Sequence, residues 1–96
     1  MLKEKQKKTL RGLAHSRKPV VLMGNAGLTD GVLAALDEAL LIHELVKVKV
    51  AAEDRQERDR IIQTILERSN AELVQRVGHI ATLFRRNPEN PVITLQ

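Results

Sequence analysis

The run Pro19-Val20-Val21-Leu22-Met23 passes without interruption into Gly24-Asn25-Ala26-Gly27 and then into a segment of helical period. This succession constrains the fold more than any other stretch. A short, continuous apolar run with adjacent valines predicts a central strand covered on both faces. Thr29 is placed as an N-cap, and Asp30 complements the partial positive charge of a helix N-terminus. Val32, Leu33, Leu36, Ala39 and Leu40 fall on the buried face of that helix, with Asp37 and Glu38 outside. The next apolar stretch, Leu45 to Val50, alternates: Val46, Val48 and Val50 face one side, and Leu45, Lys47 and Lys49 the other. A strand–helix–strand unit in one sheet crosses over right-handedly, so these two strands are expected to be parallel.

The remaining segments complete the pattern. Residues 2–14 have a helical period, with Leu2, Gln6, Leu10, Leu13 and Ala14 on one side and a basic ridge of Lys3, Lys7 and Arg11 on another. Lys18 precedes Pro19 and so lies outside any helix. A third helix is expected from about Asp54 to Ser69, its inner stripe set by Arg58, Ile61, Ile62, Ile65 and Leu66, with Asn70 as a left-handed cap. Two strand-like runs flank Gly78-His79 as a hairpin. The expected fold is a single compact α/β domain of order α-β-α-β-α-β-β, with helices packed on a four-stranded mixed sheet. It occupies residues 1–86, and the proline-bearing segment 87–96 is expected to be a peripheral tail.

Charge is concentrated at one end. Seven cations and one acid fall in the first eighteen residues of a 96-residue chain whose net charge is +4, so that segment carries +6 and the remainder −2. Such polarity suits a polyanionic partner. Phe84 is the only aromatic residue, which argues against gripping nucleic acid by stacked bases. The chain contains no cysteine, which excludes disulfides and cysteine-ligated zinc and suits a reducing, cytoplasmic setting. No apolar run reaches the ~20 residues of a membrane span, and the basic N-terminus lacks the apolar core of a secretory signal.

His15, His43 and His79 have no metal-ligand spacing, and His43 is expected to satisfy carbonyls at a helix end. Asp37 and Glu38 are consecutive on a helix and diverge, so they do not form a paired-carboxylate site. Nothing in the sequence provides a nucleophile, a cofactor site or a small-molecule substrate site, and no feature fixes an oligomeric state.

The glycines do not match the known nucleotide loops. No Lys follows them as a Walker loop requires, and the spacing of Gly24, Gly27 and Gly31 is not GxGxxG. What remains is GxxG between a strand and a helix, as in modules that clamp a nucleic-acid backbone. Glycine permits positive φ and removes the β-carbons that would hold a sugar-phosphate chain away, and free amides at a helix start favour phosphate. The competing explanation is a strand-to-helix turn that needs small residues for close packing. Since Asn25 and Ala26 are neutral, positive charge must come from Lys18, Lys47 and Lys49, from the ridge Lys3, Lys7 and Arg11, and from Arg85 at the end of the last strand.

The stretches KPVVLMGNAGLTDGVL, HELVKVKV, ELVQRVGH and LFRR, in this order, resemble the YhbY-like CRM-domain family from about Lys5 to Arg86. That family occurs in bacterial ribosome-associated proteins and plant organellar intron-splicing factors. The resemblance implies a fold similar to the C-terminal domain of a bacterial translation initiation factor, with an added N-terminal helix. It also implies non-enzymatic RNA binding, with the family's GxxG falling on Gly24 to Gly27. For single-domain bacterial members it implies association with ribosomal RNA in large-subunit precursors. Family members often carry Tyr where this chain has Phe84. The alternative is a protein-interaction module that uses a sheet edge or the apolar Leu41 and Leu45, with the cations serving solubility.

Overall fold

A computed structural model describes residues 1–24 and 26–95. The helices α1 (Glu4–His15), α2 (Asp30–His43) and α3 (Arg55–Ser69) alternate with β1 (Val21–Leu22) and β2 (Leu45–Lys49), and the hairpin β3 (Glu72–Val77) and β4 (Ile80–Phe84) closes the order. Local chemistry sets the helix ends. Thr29 Oγ1 accepts the Val32 N–H at 3.2 Å, and Asp54 Oδ1 accepts the Glu57 N–H at 2.8 Å. Each oxygen satisfies an amide that the first helical turn leaves without a partner. Asn70 ends α3 at φ 57, in the left-handed region.

The sheet order is β1-β2-β4-β3. β1 runs parallel to β2, while β2–β4 and β3–β4 are antiparallel. The first strand is therefore at the edge and not at the centre. Its run alternates in burial: Val21 and Met23 are 5% exposed, whereas Val20 is 57% and Leu22 66% exposed. Helix α2 covers one face of β1, and among the described residues nothing covers the other. An unbroken apolar run is ambiguous between double cover and single cover with bare aliphatics, which is why the sequence misleads here.

Two cores occupy the two faces of the sheet. On the side of α2 and α3, Val46 and Val48 of β2 and Ala81 and Leu83 of β4 pack with Leu36, Leu40, Ile62 and Ile65. On the other side, Leu10 and Ala14 of α1 pack on Leu45, Val74 and Phe84. Leu45 is thus buried by α1 although it alternates with two lysines. α1 crosses the strands from the β3 edge, where the Leu2 N–H donates to Glu72 Oε2 at 2.7 Å, to β2, where Arg17 Nη1 donates to the Leu45 carbonyl at 3.0 Å.

The segment after β4 is anchored rather than peripheral. Ile93 is buried in the second core. Glu44, wholly buried between α2 and β2, accepts the N–H groups of Asn87, Val92 and Ile93 at 2.7, 2.8 and 2.7 Å. Arg86 Nη1 completes the set at 3.2 Å from Glu44 Oε2. Burial pushes this carboxyl up, but the three N–H donors and the guanidinium outweigh it and hold the group below its ordinary value of 4.5. Glu44 also carries φ 61, in the region that favours glycine, so its side chain is retained against a backbone cost.

Candidate nucleic-acid interface

β1 delivers the chain into the glycine turn, and α2 carries it away. The Gly27 N–H donates to the Gly24 carbonyl at 3.0 Å, closing the turn. Gly27 adopts φ 80, which a residue with a β-carbon rarely does. Gly24 does not have positive φ, so only one of the two glycines uses the freedom that the residue permits. A β-carbon built at either position meets nothing within 4 Å. The turn is not closely packed, so internal crowding does not explain its glycines. Gly24 and Ala26 are exposed and Gly27 is half-buried; Asn25, the remaining turn residue, lies outside the described residues.

The cations expected around the turn fall into separate places. Lys49 is near it: Lys49 pairs with Leu22, and its carbonyl accepts the Met23 N–H at 3.0 Å. Lys47 lies two residues back along β2, and its Nζ donates to the Arg17 carbonyl at 2.9 Å. Lys18 precedes β1 and so sits at the opposite end of that strand from the turn. Lys3, Lys7 and Arg11 ride on α1 over the Leu45 row, about 13 Å from the turn at ~3.3 Å per strand residue.

Arg85 is not available as a surface cation. Its guanidinium donates to Asp37 Oδ1 at 2.7 Å, the Asp37 carbonyl at 3.1 Å and the Ser69 carbonyl at 2.9 Å, which ties α2 to the end of α3.

The turn has further charged neighbours on the side of α3. A groove running from Leu28 and Leu33 to α3 is lined by Arg60, Thr64 and Arg68. Both arginines look like ordinary solvent-facing charges on a helix, and only the packing of α3 against α2 brings them beside the turn. A second groove, under Gly24 and Gly27, includes Glu53 and Glu57 and is acidic. Glu57 is engaged there, accepting the Glu53 N–H at 2.9 Å. Around the turn, then, Lys49 lies on the sheet side, Arg60 and Arg68 lie with Asp30 on the α2–α3 side, and the carboxylates of Glu53 and Glu57 lie between them.

The histidine expected to satisfy carbonyls at the end of α2 does not do so. His43 is exposed, and the Leu40 carbonyl receives the Glu44 N–H at 2.9 Å. Leu41 is half-exposed, but Leu45 is buried under α1 and is not open to a partner. Among the described residues no group of three His, Cys, Asp or Glu could hold a metal ion, and no helix is long and apolar enough to cross a membrane.

The molecule is thus an α/β domain with two helices on one sheet face and one on the other, presenting an exposed glycine turn where β1 meets α2. The chain belongs to the CRS1/YhbY (CRM) domain family, whose profile matches residues 2–85. It is 50% identical over 88 residues to a Haemophilus influenzae protein named "RNA-binding protein", covering 92% of this chain and 89% of that one. It is 41% identical over 88 residues to the Pseudomonas aeruginosa "Probable RNA-binding protein PA4753", covering 92% of this chain and 85% of that one. The solution structure of the hypothetical protein SAV1595 from Staphylococcus aureus superposes with a TM-score of 0.84 at 33% identity, covering both chains fully.

Proposed function

We propose that this domain is a non-catalytic RNA-binding module that lays the Gly24–Gly27 turn against a sugar-phosphate backbone in precursors of the large ribosomal subunit. Gly24 carries the proposal. Neither backbone conformation nor packing requires a glycine there, so its missing side chain is free to serve an approaching ligand. Family membership and the names of the relatives support RNA as that ligand, and the buried state of Phe84 leaves backbone contact as the available mode. Lys49 on one side and Arg60 and Arg68 on the other supply the charge. Lys47, Lys18 and the α1 ridge extend the positive field along the sheet.

The test is retention of precursor large-subunit RNA by Ala26→Asp and Gly27→Asp. Ala26→Asp places a carboxylate at the turn without the positive φ of Gly27, so it separates charge from strain. Both variants should fold and lose binding. Affinity should fall with salt by roughly 0.7–0.9 log units per log of salt for each phosphate neutralised, and Lys49→Gln should reduce that slope by about one such increment. Normal RNA retention by a folded Ala26→Asp protein would refute the turn assignment. Absence of the protein from large-subunit precursors recovered from cells would refute the ribosomal one.

A further inference from the structure

The sheet face that carries α1 is only half covered. Cross-strand pairing places Leu22, Lys49, Ile80 and Val77 in one row across all four strands. The next row holds Lys47, Thr82 and Gln75. Val20, whose N–H donates to the Lys47 carbonyl at 3.1 Å, extends that row to the edge. The third row, Leu45 and Phe84, lies under α1. These two rows contain two lysines and no acid; Thr82 at their centre is buried and Ile80 half-buried, but the aliphatic groups towards the edges stand bare: Leu22 is 66%, Val77 63% and Val20 57% exposed. Several large apolar side chains on one sheet face mark a contact surface rather than scattered exposure.

We propose that this uncovered half of the sheet docks an acidic amphipathic helix of another protein, laid alongside α1. Spacing supports a helix. Rows two residues apart are separated by ~6.7 Å, so the middle of the bare strip lies about 10 Å from the row under α1, close to the usual distance between packed helices. A helix seated there completes the layer that α1 begins. His15 on α1 forms part of the rim and faces Lys47, Gln75, Val77, Ile80 and Thr82 across a shallow groove.

Chemistry distinguishes protein from nucleic acid here. Unpaired bases are held on sheets by aromatic rings, and the two rows outside α1 have none; their apolar groups are Val, Leu and Ile. Leucine-like side chains on one helix stripe match that floor, and carboxylates flanking the stripe match Lys47 and Lys49. This surface adjoins the turn and shares Lys49 with it, so the two proposals are told apart by what is captured at two different positions, Val77 and Ala26.

The test uses the full chain carrying a photo-crosslinking residue at Val77 or, in a second protein, at Ala26, expressed in bacterial cells. Position 77 should give a nuclease-resistant adduct with one protein, and mass spectrometry should place the attachment in an acidic amphipathic helix. Leu22→Ser, an uncharged change at an exposed edge, should lower that adduct roughly tenfold while leaving RNA retention unchanged. Val20→Ser, another exposed edge change, replaces it as the test should Leu22→Ser unfold. An adduct at position 77 that is RNA, an attached segment that is not an acidic helix, or a yield no higher than at exposed Glu67 would each overturn the proposal.

Discussion

Replacing Glu44 with glutamine tests the anchoring of the C-terminal segment most directly. Oε1 accepts the Val92 and Ile93 N–H groups, and Oε2 accepts the Asn87 N–H and the closer approach of Arg86. An amide keeps one acceptor oxygen and turns an NH2 group towards the donors of the other. At least one buried N–H and the Arg86 guanidinium then lose their partner. Hydrogen bonds to a charged group contribute about 1.5–3 kcal/mol each, and breaking a buried ion pair by removing one partner costs about 3–5 kcal/mol. We expect a loss of about 3 kcal/mol, a large share of the ~5–15 kcal/mol that holds a domain together.

Urea unfolding reads this loss. With a slope of about 1–3 kcal/mol per molar, the midpoint should drop by roughly 1 M or more. Amide exchange should speed up first at Val92 and Ile93. Glu44→Gly provides the counter-test. It relieves a left-handed backbone cost of about 1–2 kcal/mol but deletes the carboxylate, so it should still be less stable than the parent. A glycine variant as stable as the parent, or a Gln variant with unchanged protection at Val92 and Ile93, would refute the reasoning. The pH dependence has a fixed sign. Because the folded carboxyl titrates below its ordinary value of 4.5, its contribution is complete above that value and is lost as pH falls through the lower, folded one. Acid should therefore release the C-terminal segment, and Glu44→Gln should abolish that part of the acid transition.

Three further outcomes are expected. Arg85→Ala should lower thermal stability by about 1–3 kcal/mol through the lost Asp37 and Ser69 contacts while leaving RNA retention intact, a contrast that would fail if Arg85 touched the ligand. Gly24→Ala should leave stability level or raised by ~0.4–1 kcal/mol, whereas Gly27→Ala should lower it by about 1 kcal/mol; denaturant midpoints of the pair check the difference in φ. Leu10→Ala should cost roughly 2–5 kcal/mol because Leu10 is fully enclosed in the α1 core, with calorimetry as the measurement.

Features set by local chemistry were legible in the sequence. Thr29 lies three residues from the amide it satisfies, Asn70 marks its helix end by its own backbone preference, and the period of α2 and α3 reports the face they bury. The alternation in β2 assigned both faces correctly because polarity changes at every step from Val46 onwards. β1 was misplaced because an apolar run reports hydrophobicity and not which of its edges is paired. Partners distant in sequence were invisible. Glu44 meets its donors 43 to 49 residues away, and Arg85 reaches Asp37 across 48. A segment with two prolines and several polar residues reads as loose until the single buried Ile93 is seen. Arg60 and Arg68 could have been found only by knowing which side of α3 lies against the start of α2.

Backbone contact alone leaves a specificity problem. A turn that would meet RNA through its backbone distinguishes phosphate from solvent but not one sequence from another. Duplicating such contacts along Lys47, Lys18 and the α1 ridge strengthens attachment without improving discrimination. A domain built this way needs a second, chemically different contact to be held at one place on a large ribonucleoprotein. Two modest contacts on one rigid body combine through effective concentration, provided both can be engaged together. The geometry satisfies that condition, because Leu22 ends the bare row and Gly24 begins the turn only two residues later, while Lys49 borders both. The edge position of β1 is what makes this possible: a central strand would have buried Leu22 and left the turn without an adjoining surface.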